Sequence, residues 1–325
     1  MLNKLKKKLI QIVETYLSVS KLYVGGYLLN LFGLQVLRSI FKNLIFKLSL
    51  YNPKVDDLSI SDELERNGIV IIKNFMPHED FISIKSCLEN EETKKLFTYS
   101  KNYSKTNVDW LHGKIYKNHI KTKKIYEILN NNFKKYLPYI ETVLKQKIRN
   151  EVQFNYQFLS LPLGKKDIND SNANIHPDKF FPCIKAFISM KDCTKLEEGP
   201  FFYMKKSHKW NLNRIKNEYI NSVWYFKSKK INNHTDDKPF KRKLDYLENL
   251  SEEPIFCEEN SLIITNNMGW HKRGRLAEGQ HRKFIRVLFY NDQLSFHKRI
   301  IKNLLIKKIE KQKINSLNNK DSQAR

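Results

Sequence analysis

His176, Asp178 and His271 are the side chains of this sequence best suited to act on one centre. A histidine and a carboxylate stand two residues apart in His176-Pro177-Asp178, and a second histidine follows the aspartate by 93 residues. Two imidazoles and one carboxylate can take one face of an octahedral Fe(II), leaving three positions for a co-substrate and oxygen. Arg282 lies 11 residues beyond His271, where a guanidinium can hold the far carboxylate of 2-oxoglutarate through two parallel hydrogen bonds. The order H-x-D, long gap, H, short gap, R suggests a non-haem iron oxygenase.

The triplet alone is a weak signal, and the chain carries a second copy, His78-Glu79-Asp80. That copy reads as a helix start: Pro77 precedes it, acids fill its first turn, and Phe81, Ile84 and Leu88 recur at helical spacing. His78 is therefore expected on the surface. The copy at His176 is set apart by the strands and turns beyond it. Cys183 to Met190 is a strand-like run closed by Lys191-Asp192; then come Glu198-Gly199-Pro200, the apolar run Phe201 to Met204, and Ser207-His208-Lys209. A second strand, Ser261 to Thr265, leads into Gly269-Trp270-His271, and Arg282 to Tyr290 is a last long strand.

This ordered set, with Asn67 to Phe75 as an entry strand, resembles the phytanoyl-CoA dioxygenase family of Fe(II)/2-oxoglutarate oxygenases over residues 60 to 292. The resemblance implies a mostly β chain with flanking helices, built as a double-stranded β-helix, a jelly-roll, cupin-like barrel. It implies that His176, Asp178 and His271 hold Fe(II), that Arg282 anchors 2-oxoglutarate, and that O2 is consumed as the oxo acid goes to succinate and a substrate is hydroxylated. Related halogenases replace the carboxylate with a small residue, so Asp178 favours hydroxylation. Asn155 and Gln157, with Tyr156 between them, fall where the family lines the co-substrate pocket, and Phe187 is the candidate aromatic beside the iron. Strand alternation puts Arg282, Phe284, Arg286, Leu288 and Tyr290 on one face, so Arg286 is a rival anchor; the family spacing favours Arg282.

Each residue also has an ordinary alternative. His176 can be a loop histidine, Asp178 a turn former, His271 a core histidine bonded to a backbone carbonyl, and Arg282 an edge charge. His208, in a turn, reads as structural. His281 should face away from Arg282.

The elements that must position these residues fit one sizeable domain with extensions. The chain has 325 residues, 41% of them hydrophobic and 12% aromatic, enough for a core. The expected division is a basic amphipathic helical extension over 1–54, the oxygenase domain over 55–296 with an insert near the site at 210–254, and a basic helix and tail over 297–325. Cys87, Cys183, Cys193 and Cys257 show no C-x-x-C spacing, which fits a reducing, cytoplasmic setting.

The formal net charge is +25, with nine Lys/Arg against one Glu in residues 1–54 and nine against two acids in 297–325. Such a balance speaks to partners, not to fold. Leu34, Leu37, Phe41, Leu44 and Leu48 form an apolar stripe, as do Leu2, Leu5, Leu9, Ile12, Val13, Tyr16 and Leu17 among Lys4, Lys6, Lys7 and Lys8. Basic helices of this kind can lie on an anionic membrane, giving peripheral contact through residues 1–50. The preferred reading docks the stripes on the domain, with lysines in water. The uncharged run Leu22 to Leu37 falls short of the ~20 residues a spanning helix needs. No helix-turn-helix, RNP or zinc-finger pattern supports nucleic-acid binding. The substrate is expected to be a small or lipid-like molecule, with an anion suggested by the lysines of 210–243. The alternative class is an inactive barrel serving as a basic membrane-peripheral or nucleic-acid-binding protein.

Overall fold

The computed structural model describes residues 23–290 except 52, 54, 56–57, 104–105, 149–150, 169–170 and 233–249. The stripe of residues 2–17 and the expected helix over 297–325 lie outside the described residues, as does most of the Lys-rich part of the expected insert. In chain order the elements begin with α1 (Tyr27–Leu31), α2 (Leu34–Lys47), α3 (Ser59–Asn67), β1 (Ile69–Ile72), α4 (His78–Glu89), α5 (Glu91–Lys94), β2 (Thr98–Ser100) and β3 (Asp109–Ile115). Next come α6 (Lys123–Lys134), α7 (Leu137–Leu144), β4 (Phe154–Ser160), β5 (Cys183–Ser189), β6 (Phe201–Met204) and α8 (Leu212–Asn232). The last are β7 (Glu252–Ile255), β8 (Leu262–Asn266), β9 (His271–Arg273) and β10 (His281–Tyr290).

Antiparallel sheet occupies the centre. Seven strands pair in the order β1-β8-β5-β10-β4-β3-β2, and a three-stranded sheet runs β7-β6-β9. Alternation gives the large sheet two different faces. Ile184, Ala186 and Ile188 on β5, Ile285, Val287 and Phe289 on β10, and Phe154 and Tyr156 on β4 enter one apolar core. Helices close over that face because their apolar residues recur every three or four positions. Phe81, Ile84 and Leu88 of α4 and Ile125, Leu129 and Phe133 of α6 are all buried there. His78, at the first turn of α4, is exposed.

The other face meets the small sheet. Ile69 and Ile263 from the large sheet cluster with Phe201, Tyr203 and Ile255 from the small one, and Phe187 packs against them. Gly68, with φ of +82°, caps α3 and admits this closure: a Cβ there would run into Tyr203 Oη and His208 Nδ1.

Helix α2 departs from the preferred reading of its stripe. Gln35, Arg38, Ser39, Lys42 and Asn43 are buried, whereas Leu37, Ile40, Phe41, Leu44 and Leu48 are exposed. The polar side is held inward by specific partners. Gln35 Nε2 donates to Glu218 Oε2 of α8 at 3.1 Å, Arg38 Nη1 donates to Gln35 Oε1 at 2.6 Å, and Arg38 stacks over Phe180 at 4.6 Å. Glu218 is also paired with Arg214 at 2.9 Å, both side chains being almost fully buried. Periodicity identified a stripe correctly but not the side on which the protein lies. Among the described residues no helix is long and apolar enough to cross a membrane.

Candidate metal centre

The two histidines meet across a short antiparallel bridge. His176 N–H donates to His271 O at 2.8 Å, and His271 N–H donates to His176 O at 3.0 Å, which brings the rings to 4.7 Å between centroids. His271 opens β9, and Ser207 steadies the approach to it by accepting from Trp270 N–H at 2.8 Å. Asp178 N–H donates to Asn267 O at 2.9 Å, tying the H-x-D loop to the segment after β8. Ligand atoms of His176, Asp178 and His271 all lie within 4.8 Å of one another.

The imidazoles are oriented for coordination. His176 Nδ1 lies 2.7 Å from Asn174 O, and His271 Nδ1 lies 2.9 Å from Gly269 O. A carbonyl only accepts, so each Nδ1 carries a proton, and Nε2 is the nitrogen each ring can offer to a metal. Those nitrogens face the carboxylate: His176 Nε2 is 3.8 Å from Asp178 Oδ1, and His271 Nε2 is 3.6 Å from Oδ2. Burial drives the His271 imidazole down to about 3, against the attraction of Asp178, so it is neutral near pH 7. Burial pushes the Asp178 carboxyl up, but Lys185 and the two histidines outweigh it and hold it below the ordinary carboxylate range. Two imidazole nitrogens and one ionised carboxylate fit a divalent first-row metal such as Fe(II).

Lys185 and Asn267 complete the centre: strand alternation puts Lys185 on the face of Phe187 but does not show its partner, and the role of Asn267 was not apparent from the sequence. Lys185 Nζ lies 2.5 Å from Asp178 Oδ2. Asn267 Nδ2 donates to that same oxygen at 2.8 Å and is 3.0 Å from His271 Nε2, while its Oδ1 accepts from Thr265 Oγ1 at 2.5 Å. Such outer contacts fix a ligating carboxylate, leaving Oδ1 turned toward His176. In the sequence, Asn266-Asn267 after an apolar run signals only a turn.

The remaining candidates share the face turned to the small sheet. On β10, Arg286 is opposite Asn155 and Phe187, Phe284 is opposite Gln157 and Ser189, and Arg282 is opposite Leu159. Asn155, Gln157, Phe187, Arg282 and Arg286 therefore point the same way, and Tyr156 points into the helical core. Arg282 lines a cleft with Phe187, Phe201, Ile255, Ile263 and Phe284. Phe201 also packs at 5.5 Å from the His271 ring, so the wall of that cleft touches the metal-ligand set. Phe187 is one ring further away, 5.4 Å from Phe201. Arg282 Nη1 donates to Gly199 O at 2.7 Å, and burial lowers its guanidinium to about 10, which leaves it charged at neutral pH.

Between His271 and Arg282 the chain is pinned by Asp167. Its carboxylate takes Arg273 at 2.7 and 3.0 Å and also accepts from Leu276 N–H at 3.0 Å. His281 sits on the opposite face from Arg282, its ring 5.5 Å from Phe158. His208 is not one of the grouped ligands: its Nε2–H donates to Glu65 O at 3.0 Å. Cys193 and Cys257 face each other through a backbone bridge beside the cleft, and all four cysteines are free.

No family model and no curated protein matches the sequence. Among solved structures, the chain is similar to HygX from Streptomyces hygroscopicus with nickel and 2-oxoglutarate bound, at 15% identity and a TM-score of 0.42, covering 72% of this chain and 87% of that one. It is also similar to EvdO2 from Micromonospora carbonacea var. aurantiaca complexed with 2-oxoglutarate, at 12% identity and a TM-score of 0.44, covering 74% and 93%. A prolyl-4-hydroxylase of Pseudomonas putida aligns at 10% identity and a TM-score of 0.40, covering 71% and 96%.

Proposed function

We propose that the protein is an Fe(II)- and 2-oxoglutarate-dependent dioxygenase that hydroxylates a small or lipid-like molecule, with the double-stranded β-helix of the phytanoyl-CoA dioxygenase family as its scaffold. The observation that carries this reading is the ligand set: two imidazoles, each with Nδ1–H spent on a carbonyl, turn their Nε2 atoms toward one ionised carboxylate. In this reading His176, Asp178 and His271 hold the metal. Bound Fe(II) supplies the redox chemistry that couples O2 and decarboxylation of 2-oxoglutarate to oxygenation of a C–H bond.

The chain's own residues bind, orient and shield. Arg282 presents a charged fork in a cleft lined by Phe187, Phe201, Ile255 and Phe284 together with Ser189, Lys191 and Lys283, where it pairs with the distal carboxylate of the co-substrate. Phe187, Phe201 and Phe284 exclude water from that ion pair and so strengthen it. Asn267 holds Asp178 in place through Oδ2. Asn155 and Gln157 offer amides from the adjoining strand. Beyond them Lys114 stands opposite Asn155, which stands opposite Arg286, so this end of the face carries two cations and suits a substrate bearing an oxyanion. The free cysteines fit a cytoplasmic setting.

The test is anaerobic addition of Fe(II) and 2-oxoglutarate to the purified chain, with His176→Ala and Asp178→Ala alongside. A visible charge-transfer band that fades in both variants supports the assignment. A folded protein that retains no iron and gives no band refutes it.

A further inference from the structure

The inverted burial of α2 identifies a surface that the chemistry of the metal centre does not use. Arg38 is 0% and Lys42 3% exposed, while Leu37 is 57%, Leu44 51% and Leu48 68% exposed. Just before it, Leu28, Leu29 and Phe32 of the α1 segment are exposed as well, Phe32 by 82%. A helix with leucines in water and a guanidinium inside is costly unless something else removes those leucines from water. The inward polar side is fixed by Glu218, Phe180 and Phe181, so the outward direction of the stripe comes from bonds and not from loose packing.

We propose that this stripe is a membrane-docking surface, seated in the interfacial layer of an anionic bilayer. Charge complementarity selects that occupant. Lys47 closes the helix, and Lys4, Lys6, Lys7, Lys8 and Lys21 precede it in the sequence, against Glu14 as the lone acid of residues 1–54. An apolar stripe that ends at Lys47 and follows a lysine-rich sequence with one acid has the composition of a segment that lies in the headgroup region. A protein-binding surface would instead tend to exclude lysine from its neighbourhood. With 14 residues, α2 is about 21 Å long, too short to cross a hydrocarbon core of about 30 Å, so it lies in the plane.

The experiment is co-sedimentation of the full chain with phosphatidylcholine vesicles, with and without phosphatidylserine, at low and high salt. The double variant Leu37→Asp/Leu44→Asp removes two apolar contacts at positions already in water, and Leu48→Asp, at the helix end, serves if the double variant unfolds. The wild type is expected to sediment with serine-containing vesicles and to be retained in part at high salt. The double variant should lose partition on the order of a hundredfold, at an unchanged urea midpoint. Retention that ignores the leucine variants, or that vanishes entirely with salt, overturns the proposal. So does a wild-type dimer that the double variant splits and that binds no vesicle, because a second copy then covers the stripe. The outcome is independent of the iron and 2-oxoglutarate band, so each assignment can fail alone.

Discussion

Lys185 Nζ and Asn267 Nδ2 converge on one oxygen, Oδ2 of Asp178, at 2.5 and 2.8 Å. The amide orients this carboxylate without charge, whereas the ammonium orients it and also places a positive charge beside the metal position. Lys185 is on β5, and Asn267, the residue after β8, is held by its backbone bonds to Cys183 and Asp178.

The two contacts should therefore respond oppositely to removal. In Lys185→Met, Asn267 still holds Asp178, and the main change is loss of charge repulsion against an incoming divalent ion. At an effective dielectric of about 20, that repulsion is several kcal/mol at a separation of about 5 Å. Co(II) should then bind roughly tenfold tighter or better by calorimetry. Asn267→Ala leaves Lys185 in place but removes the neutral orienting bond, and Co(II) affinity should fall by about ten- to a hundredfold. Equal losses in both variants would contradict this division of roles.

Arg282 and Arg286 point to the same side of β10, but only Arg282 lines the cleft whose wall, through Phe201, touches His271. A charge-assisted pair is worth about 1.5–3 kcal/mol. Arg282→Gln should accordingly raise the dissociation constant of 2-oxoglutarate by roughly ten- to a hundredfold, read by titrating the charge-transfer band. Arg286→Gln should leave that titration nearly unchanged. The reverse pattern would move the co-substrate two residues along the strand and return Arg286 to its role as rival.

How legible each feature was in the sequence depends on what its signal encodes. His176, Asp178, His271 and Arg282 stood out because metal chemistry restricts residue type, and type is written in the chain. The strands flanking them were legible because alternation and glycine-rich turns are local; β5 and β6 lie where the apolar runs placed them. Asn267 was not legible, since its role depends on the loop of Asp178, which lies 89 residues away. The facing of α2 was hidden for a related reason. Periodicity shows that leucines share a side, but only the tertiary partners Glu218 and Phe180 reveal that the other side is the one held by the protein. Cys193 and Cys257 likewise look isolated in sequence and are neighbours in space.

His208 supplies a pH prediction away from the metal ligands. It is 8% exposed, its Nε2–H is spent on Glu65 O, and its Nδ1 is buried without a hydrogen-bond partner. Burial lowers the imidazole from 6.5 to about 4, with Lys209 and Arg214 adding to the effect against the Glu65 bond. Between those values the unfolded chain binds a proton that the folded chain refuses, so stability rises with pH across this window and falls as pH drops from about 6.5 toward 4. The full effect is on the order of 3 kcal/mol. His208→Gln keeps a donor for Glu65 O and removes the titration. The wild type should lose stability between pH 7 and pH 5 by urea unfolding of metal-free protein, and the variant should lose about 2 kcal/mol less over the same interval. Parallel profiles for the two proteins would show that His208 binds its proton equally well in the folded and unfolded chain, and would refute the burial effect.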